Sequence, residues 1–258
     1  MNVGVVARRV LRPYAALDGQ QRALWRSACC GTTRLRQNKG AGHIMITAME
    51  FVRRLAQQAP TLGGTQALSS TTTVAGFAQR IQALFDIDQF WRKATMHPSV
   101  QRLAPDMHAQ VVSLLRERFA QCDREHTREL GRWVNKHGWP LISVFGKAAC
   151  HRAWLLAQHA DADVDFQCRV LGLMEALFDD DEVAKADYAY LHDRVAVAQE
   201  RPQRYGTQGH CPVPGAWVPR ELEEPLKVDQ WRASVGLGSM QEYTERMNAI
   251  AARSVPSK

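Results

Sequence analysis

The chain has 258 residues, 33 Lys and Arg against 26 Asp and Glu, and an apolar share of 45%, ordinary for a protein with a sizeable core. No apolar run approaches the roughly 20 residues of a spanning helix. The early arginines are not followed by the apolar stretch of a secretory signal, so the expectation is a cytoplasmic chain with no membrane partner. The net charge of +7 belongs to one segment: residues 1–44 hold eight bases and one acid, which leaves 25 of each over 45–258. A nucleic-acid surface clusters Lys and Arg on a folded face. None follows Met45, so nucleic acid is not expected as a partner of the folded domain.

Residues 1–44 lack sustained periodicity and read as a basic disordered leader, a targeting segment, or translated sequence ahead of the true start. "MEFVRRLAQQ" marks a short helix within 45–59, and 60–73, rich in Gly, Ser and Thr without charge, reads as a flexible linker. Thr73 can cap a helix that carries Phe77, Ile81, Leu84, Phe85 and Ile87. After the prolines at 98 and 105, Asp106 is the expected cap of a helix with Val111, Val112, Leu115, Phe119 and Cys122 on one stripe. That helix continues through Leu130, Trp133 and Val134 to a stop at Gly138. Trp139-Pro140 makes a corner, and Ser143 is the expected cap of the next helix, through "FGKAACHRAWLLAQHA".

Two further helices follow, in "DADVDFQCRVLGLMEALFDD" and "DEVAKADYAYLHDRVAVAQE", joined by short loops, so three consecutive helices should pack antiparallel. Gly and Pro then punctuate 203–220, an irregular excursion or small β-hairpin, before a last helix at "SMQEYTERMNAIAARS". The expected fold is therefore mainly α, an antiparallel helical bundle forming one domain over 74–253. The six cysteines include no C-x-x-C pair. Cys29-Cys30 is vicinal, and Cys122, Cys150 and Cys168 fall on apolar helix positions, so reduced core thiols are expected rather than a zinc site.

Polar residues with chemical capability gather in 158–208. His159 with Asp161 and Asp163 could hold a divalent metal or share acid and base roles. Equally, His159 suits the negative end of one helix, and Asp161 or Asp163 can cap the next. Asp187, Tyr190 and Arg194 share a helix face, which suggests a buried network or a pocket wall. In "PQRYGTQ", Gln203, Tyr205, Thr207 and Gln208 surround Gly206, where backbone can approach closely. Such a loop can grip a polar ligand or seal helix ends. Arg232 could neutralise a carboxylate or bind an anion. Trp139, Trp154, Trp217 and Trp231 read as core or corner residues.

Antiparallel packing places the loop after the third helix at the end of the bundle that carries "QHAD", bringing the two segments into one candidate site.

"HGWPLISVFGKAA", "QHAD", "YLHDR", "PQRYGTQ" and "WRASVGLGSMQEY", in that order over about 120–245, resemble an uncharacterised bacterial family catalogued as a domain of unknown function. Residues 1–105 lie outside the resemblance, which carries over no established reaction and leaves the cofactor open. Two functional readings result. One is a hydrolase-like or transferase-like enzyme with His159, Asp161, Asp193 and Arg194 catalytic. In it Gln158, Tyr190, Gln203, Tyr205, Thr207, Gln208 and Arg232 bind the ligand. The other is a non-catalytic module for a small polar ligand or a protein partner, whose polar cluster is structural.

Overall fold

A computed structural model describes residues 46–213 and 215–253; the leader lies outside them. The described chain is mainly helical. In order it has α1 (Ala48–Ala56), a 3-10 turn (Leu68–Ser70), α2 (Val74–Ala94), α3 (Pro98–Gln101) and α4 (Pro105–His137). After these come α5 (Ile142–Gln158), α6 (Val164–Glu175), α7 (Lys185–Ala198), β1 (Gly209–Val213), β2 (Ala216–Pro219), α8 (Val228–Ser234) and α9 (Met240–Arg253). No helix among the described residues is long and apolar enough to cross a membrane.

The long helices α2 and α4 run antiparallel, with Arg80 opposite Glu129 and Arg92 opposite Asp123. Their apolar stripes feed two separate cores. Phe77, Ile81 and Leu84 of α2 join Leu130, Trp133 and Val134 of α4, together with α5, α6 and α7, in the larger one. Trp91 and Ala94 join Val111, Leu115 and Cys122, with α1 and Val100, in the smaller. Between the two lies a polar belt: Asp88 is one helical turn from both Leu84 and Trp91, and Asp123 and His126 sit between Cys122 and Leu130.

Helices α5, α6 and α7 follow an up-down-up course. Asp161 ahead of α6 meets Arg194 late in α7, and Tyr188 early in α7 meets Glu175 at the end of α6. His151 and Trp154 of α5 face Asp187 and Tyr190 of α7 in parallel order. Thr73 caps α2 by accepting from the Gly76 amide at 3.0 Å, and Asp163 caps α6 by accepting from the Phe166 amide at 3.0 Å.

Two expected caps differ. Asp106 lies inside the first turn of α4, after Pro105, where its charge meets the helix dipole instead of capping. Ser143 does not cap α5. Its amide donates to the Glu182 carboxylate at 2.9 Å, so the capping acceptor comes from a residue 39 positions away. Gly146, at φ 78°, then breaks the first turn of α5 from the rest. The stretch expected as a linker is pinned at Leu68, which is fully buried and whose amide donates to Glu129 at 2.9 Å.

The excursion after α7 is a two-stranded antiparallel hairpin, with Gly209 opposite Pro219 and His210 opposite Val218. The Trp217 amide donates to Asn248 Oδ1 at 2.6 Å, and its ring meets the edge of Tyr243, so α9 backs the hairpin.

Candidate functional site

His159 ends α5 at the C-cap position, and its ring reaches back across the bundle to α2. The buried Asp88 carboxylate lies 3.0 Å from its Nδ1. Arg92, one turn further along α2, donates from Nε to Asp88 at 3.0 Å and from a terminal nitrogen to Asp123 of α4 at 2.5 Å. Gln89 Nε2 completes the Asp88 shell at 2.9 Å. Thus one imidazole, one guanidinium and two carboxylates from three helices meet in the belt between the two cores. One ligand atom each from Asp88, Asp123 and His159 lies within 4.8 Å of the others, close enough for a divalent cation to draw them together.

The environment pushes the two carboxyls apart. Burial raises both, and for Asp123 it prevails, holding that carboxyl above its ordinary value. For Asp88 the hydrogen bond and charge of His159, with Arg92, overcome burial and leave the carboxyl below its ordinary value. Burial pushes the neighbouring His126 imidazole down and the Cys122 thiol up, so neither is an activated charge or nucleophile at neutral pH. Above Asp123 and His159 lies a cleft of about 200 Å³, also lined by Thr127, Asp163 and the exposed Arg124 and Arg128.

The remaining candidates fall into separate groups. Asp161, exposed ahead of α6, accepts from Arg194 at 2.7 Å and from Gln167 Nε2 at 3.3 Å. Gln158 is buried, and its carbonyl accepts from the same Gln167 side chain at 3.2 Å. Asp193 is fully buried, and its carboxylate organises the "PQRYGTQ" loop. It accepts from the backbone amides of Arg204 at 2.9 Å, Tyr205 at 3.0 Å and Thr207 at 2.8 Å, and from the Thr207 hydroxyl at 3.0 Å. Gln203 bridges the same loop, donating to the Gln208 and Arg220 carbonyls and accepting from the Gln208 amide. Arg232 donates to the Tyr205 carbonyl at 2.6 Å, and Tyr243 to the Thr207 carbonyl at 3.0 Å.

Tyr190 faces α9, where Arg246 reaches its hydroxyl at 3.4 Å. Asp187 pairs with His151, so the face shared by Asp187, Tyr190 and Arg194 serves three different partners.

Residues 79–254 match the model of a family described as a family of unknown function, DUF6624. The chain belongs to that family. No curated protein and no solved structure matches it. The DUF6624 stretch begins inside α2, ahead of the "HGWP" and "QHAD" motifs, and so takes in Asp88, Arg92 and Asp123 as well as His159.

Those first three residues were absent from the sequence-derived candidates, although a signal was present. Asp88 falls on the stripe Ile81, Leu84, Trp91, where a carboxylate must find a partner. His126 sits likewise on the stripe Leu115, Cys122, Leu130.

Proposed function

We propose that this DUF6624 protein is a hydrolase-like or transferase-like enzyme. It acts on a small anionic substrate in the cleft over Asp123 and His159, with His159 as the proton-transferring group. The observation that carries this reading is the buried Asp88 carboxylate at 3.0 Å from His159 Nδ1. A carboxylate on one ring nitrogen fixes the tautomer and leaves Nε2 as the basic atom. Asp123, whose carboxyl burial holds above its ordinary value while Arg92 donates to it at 2.5 Å, stands beside the ring as an acceptor on the cleft wall. Arg124 and Arg128 on the cleft wall favour an anion. Asp193 then serves as the frame of the loop after α7, and the exposed Asp161–Arg194 pair lies outside the chemistry. The four free thiols among the described residues, Cys122, Cys150, Cys168 and Cys211, accord with a reducing, cytoplasmic setting.

A second reading has its own support: the ligand atoms of Asp88, Asp123 and His159 cluster within 4.8 Å. In it a divalent ion replaces the Arg92 guanidinium between the carboxylates. The test is turnover of aryl phosphates and aryl esters by natively purified protein, with elemental analysis, beside His159→Gln. Turnover lost in a folded variant without bound metal supports the acid–base centre. Stoichiometric metal lost in the variant moves the assignment to the metal reading. Equal turnover in both proteins sinks the role of His159.

A further inference from the structure

A second cavity, of about 350 Å³, opens between α7, α8 and α9 and shares no lining residue with the His159 cleft. Its wall includes Arg232, Arg246, Tyr190, Tyr243, Leu237 and Glu242. Arg232 is 2% exposed. Its Nε donates to the Gly238 carbonyl and one terminal nitrogen to the Tyr205 carbonyl, both at 2.6 Å. Carbonyls satisfy hydrogen bonds but do not neutralise a charge, and a guanidinium does not shed its proton. A buried cation without a counter-ion is costly. Among the described residues no carboxylate forms an ion pair with Arg232 or with Arg246.

The two guanidiniums also share one ring: Arg232 lies 4.8 Å and Arg246 4.9 Å from the centroid of Tyr243. Arg246 is exposed and donates to the Tyr190 hydroxyl at 3.4 Å. The acid on the cavity wall, Glu242, is engaged elsewhere. Its Oε2 accepts from the Ser239 amide at 2.8 Å and hydroxyl at 3.0 Å, capping α9. Two guanidiniums against one carboxylate therefore line the cavity, beside the Tyr190 hydroxyl and an apolar wall, while Asp229 and Asp193 act on Arg232 without forming an ion pair with it.

We propose that this cavity is a binding site for a small organic oxyanion. Its carboxylate or phosphate head lies between Arg232 and Arg246, within reach of the Tyr190 hydroxyl. Its apolar body rests on Tyr243 and Leu237. Two arginines suit the planar fork of an oxyanion, and the volume is that of a small-molecule pocket.

The test is isothermal titration of the full chain at low salt with benzoate and with inorganic phosphate, using benzamide as the uncharged control. The variants are Arg246→Gln, Tyr190→Phe and His159→Gln, each checked for fold by circular dichroism. The expected result is saturable binding of at least one anion and none of benzamide. Affinity should fall at least tenfold in Arg246→Gln and severalfold in Tyr190→Phe, and stay unchanged in His159→Gln. Tyr190→Phe removes a single hydroxyl and supplies the answer should Arg246→Gln fail to fold. Absence of saturable binding by either anion overturns the proposal. So does binding that survives both cavity variants, or binding that His159→Gln abolishes, which would put the anion in the other cleft.

Discussion

Replacing Asp193 with Asn isolates what one buried carboxylate does for the loop after α7. The side chain keeps its shape and loses its charge and one acceptor. In the native protein four donors converge on it: the amides of Arg204, Tyr205 and Thr207, and the Thr207 hydroxyl. A hydrogen bond to a charged group contributes about 1.5–3 kcal/mol and a neutral one about 1 kcal/mol. If the Asn oxygen takes the Arg204 and Tyr205 side, those two bonds together lose about 2 kcal/mol. The Thr207 hydroxyl can turn to accept from the new amide. The buried Thr207 N–H then faces an NH2 group, and an unsatisfied buried donor costs about 1–3 kcal/mol. The sum is about 4 kcal/mol, a large part of a typical domain's stability. Urea unfolding of Asp193→Asn should show that loss with an unchanged m-value, and the midpoint of thermal unfolding should fall by about 10 °C. A variant within about 1 kcal/mol of the parent would refute the idea that this carboxylate organises the loop.

Other perturbations separate framework from ornament. Asp161→Asn removes an ion pair whose acid is 66% exposed, so its effect on stability should stay below about 1 kcal/mol; a larger loss in urea unfolding would mean the pair is a structural anchor. Gly206→Ala should cost about 1–3 kcal/mol, because Gly206 has φ +65° and an added Cβ would lie 2.5 Å from Met240 Sδ. Adding Met240→Ala should recover only the steric part of that loss. Glu129→Gln tests a pH-dependent contribution. Burial opposes ionisation of Glu129, but the Arg80 side chain and the Leu68 amide outweigh it and hold the carboxyl below its ordinary value. Its stabilisation is present above the ordinary glutamate range and lost as pH falls through the depressed folded value. The variant should therefore be about 2 kcal/mol weaker at neutral pH, with half-buried charge-assisted bonds reduced to neutral ones, and should approach the parent once pH falls below the depressed folded value. Its 60–73 segment should also be cut faster by protease once the Leu68 anchor weakens. Equal cleavage would show that apolar burial alone holds that stretch.

Helix existence was legible wherever an apolar stripe ran unbroken. Val111 through Val134 announce α4, and the short loops around α6 set the up-down-up course that brings Asp161 to Arg194. The turn chemistry of 203–220 correctly marked the hairpin region. What escaped depended on partners far along the chain. Ser143 looked like a cap because nothing nearby shows Glu182 arriving 39 residues later. The 60–73 stretch reads as a linker because Leu62, Ala67 and Leu68 set up no periodicity, yet the burial of Leu68 fixes the path. His159 could be recognised as chemically capable. The nearest aspartates in the chain are Asp161 and Asp163, whereas the bond goes to Asp88, 71 positions upstream. The charged residue on the apolar stripe of α2 was the available clue, and reading Asp88 as an interruption requiring a partner would have located the belt. For the "PQRYGTQ" loop, the choice between gripping a ligand and sealing backbone turned on Asp193, whose neighbours in "YLHDR" give no sign that it accepts amides from the loop.

The orientation of one imidazole decides whether the cleft holds a base. Two-bond nitrogen–proton spectra of the histidine rings report the tautomer directly, with His159 assigned through His159→Gln and the pH set well above the ordinary histidine range. With Asp88 on Nδ1, His159 should be protonated at Nδ1 and bare at Nε2, and Asp88→Asn should shift the ring toward the Nε2–H form. A His159 found protonated at Nε2 in the parent protein, unchanged by Asp88→Asn, would contradict the claim that Asp88 prepares His159 as the base of the cleft.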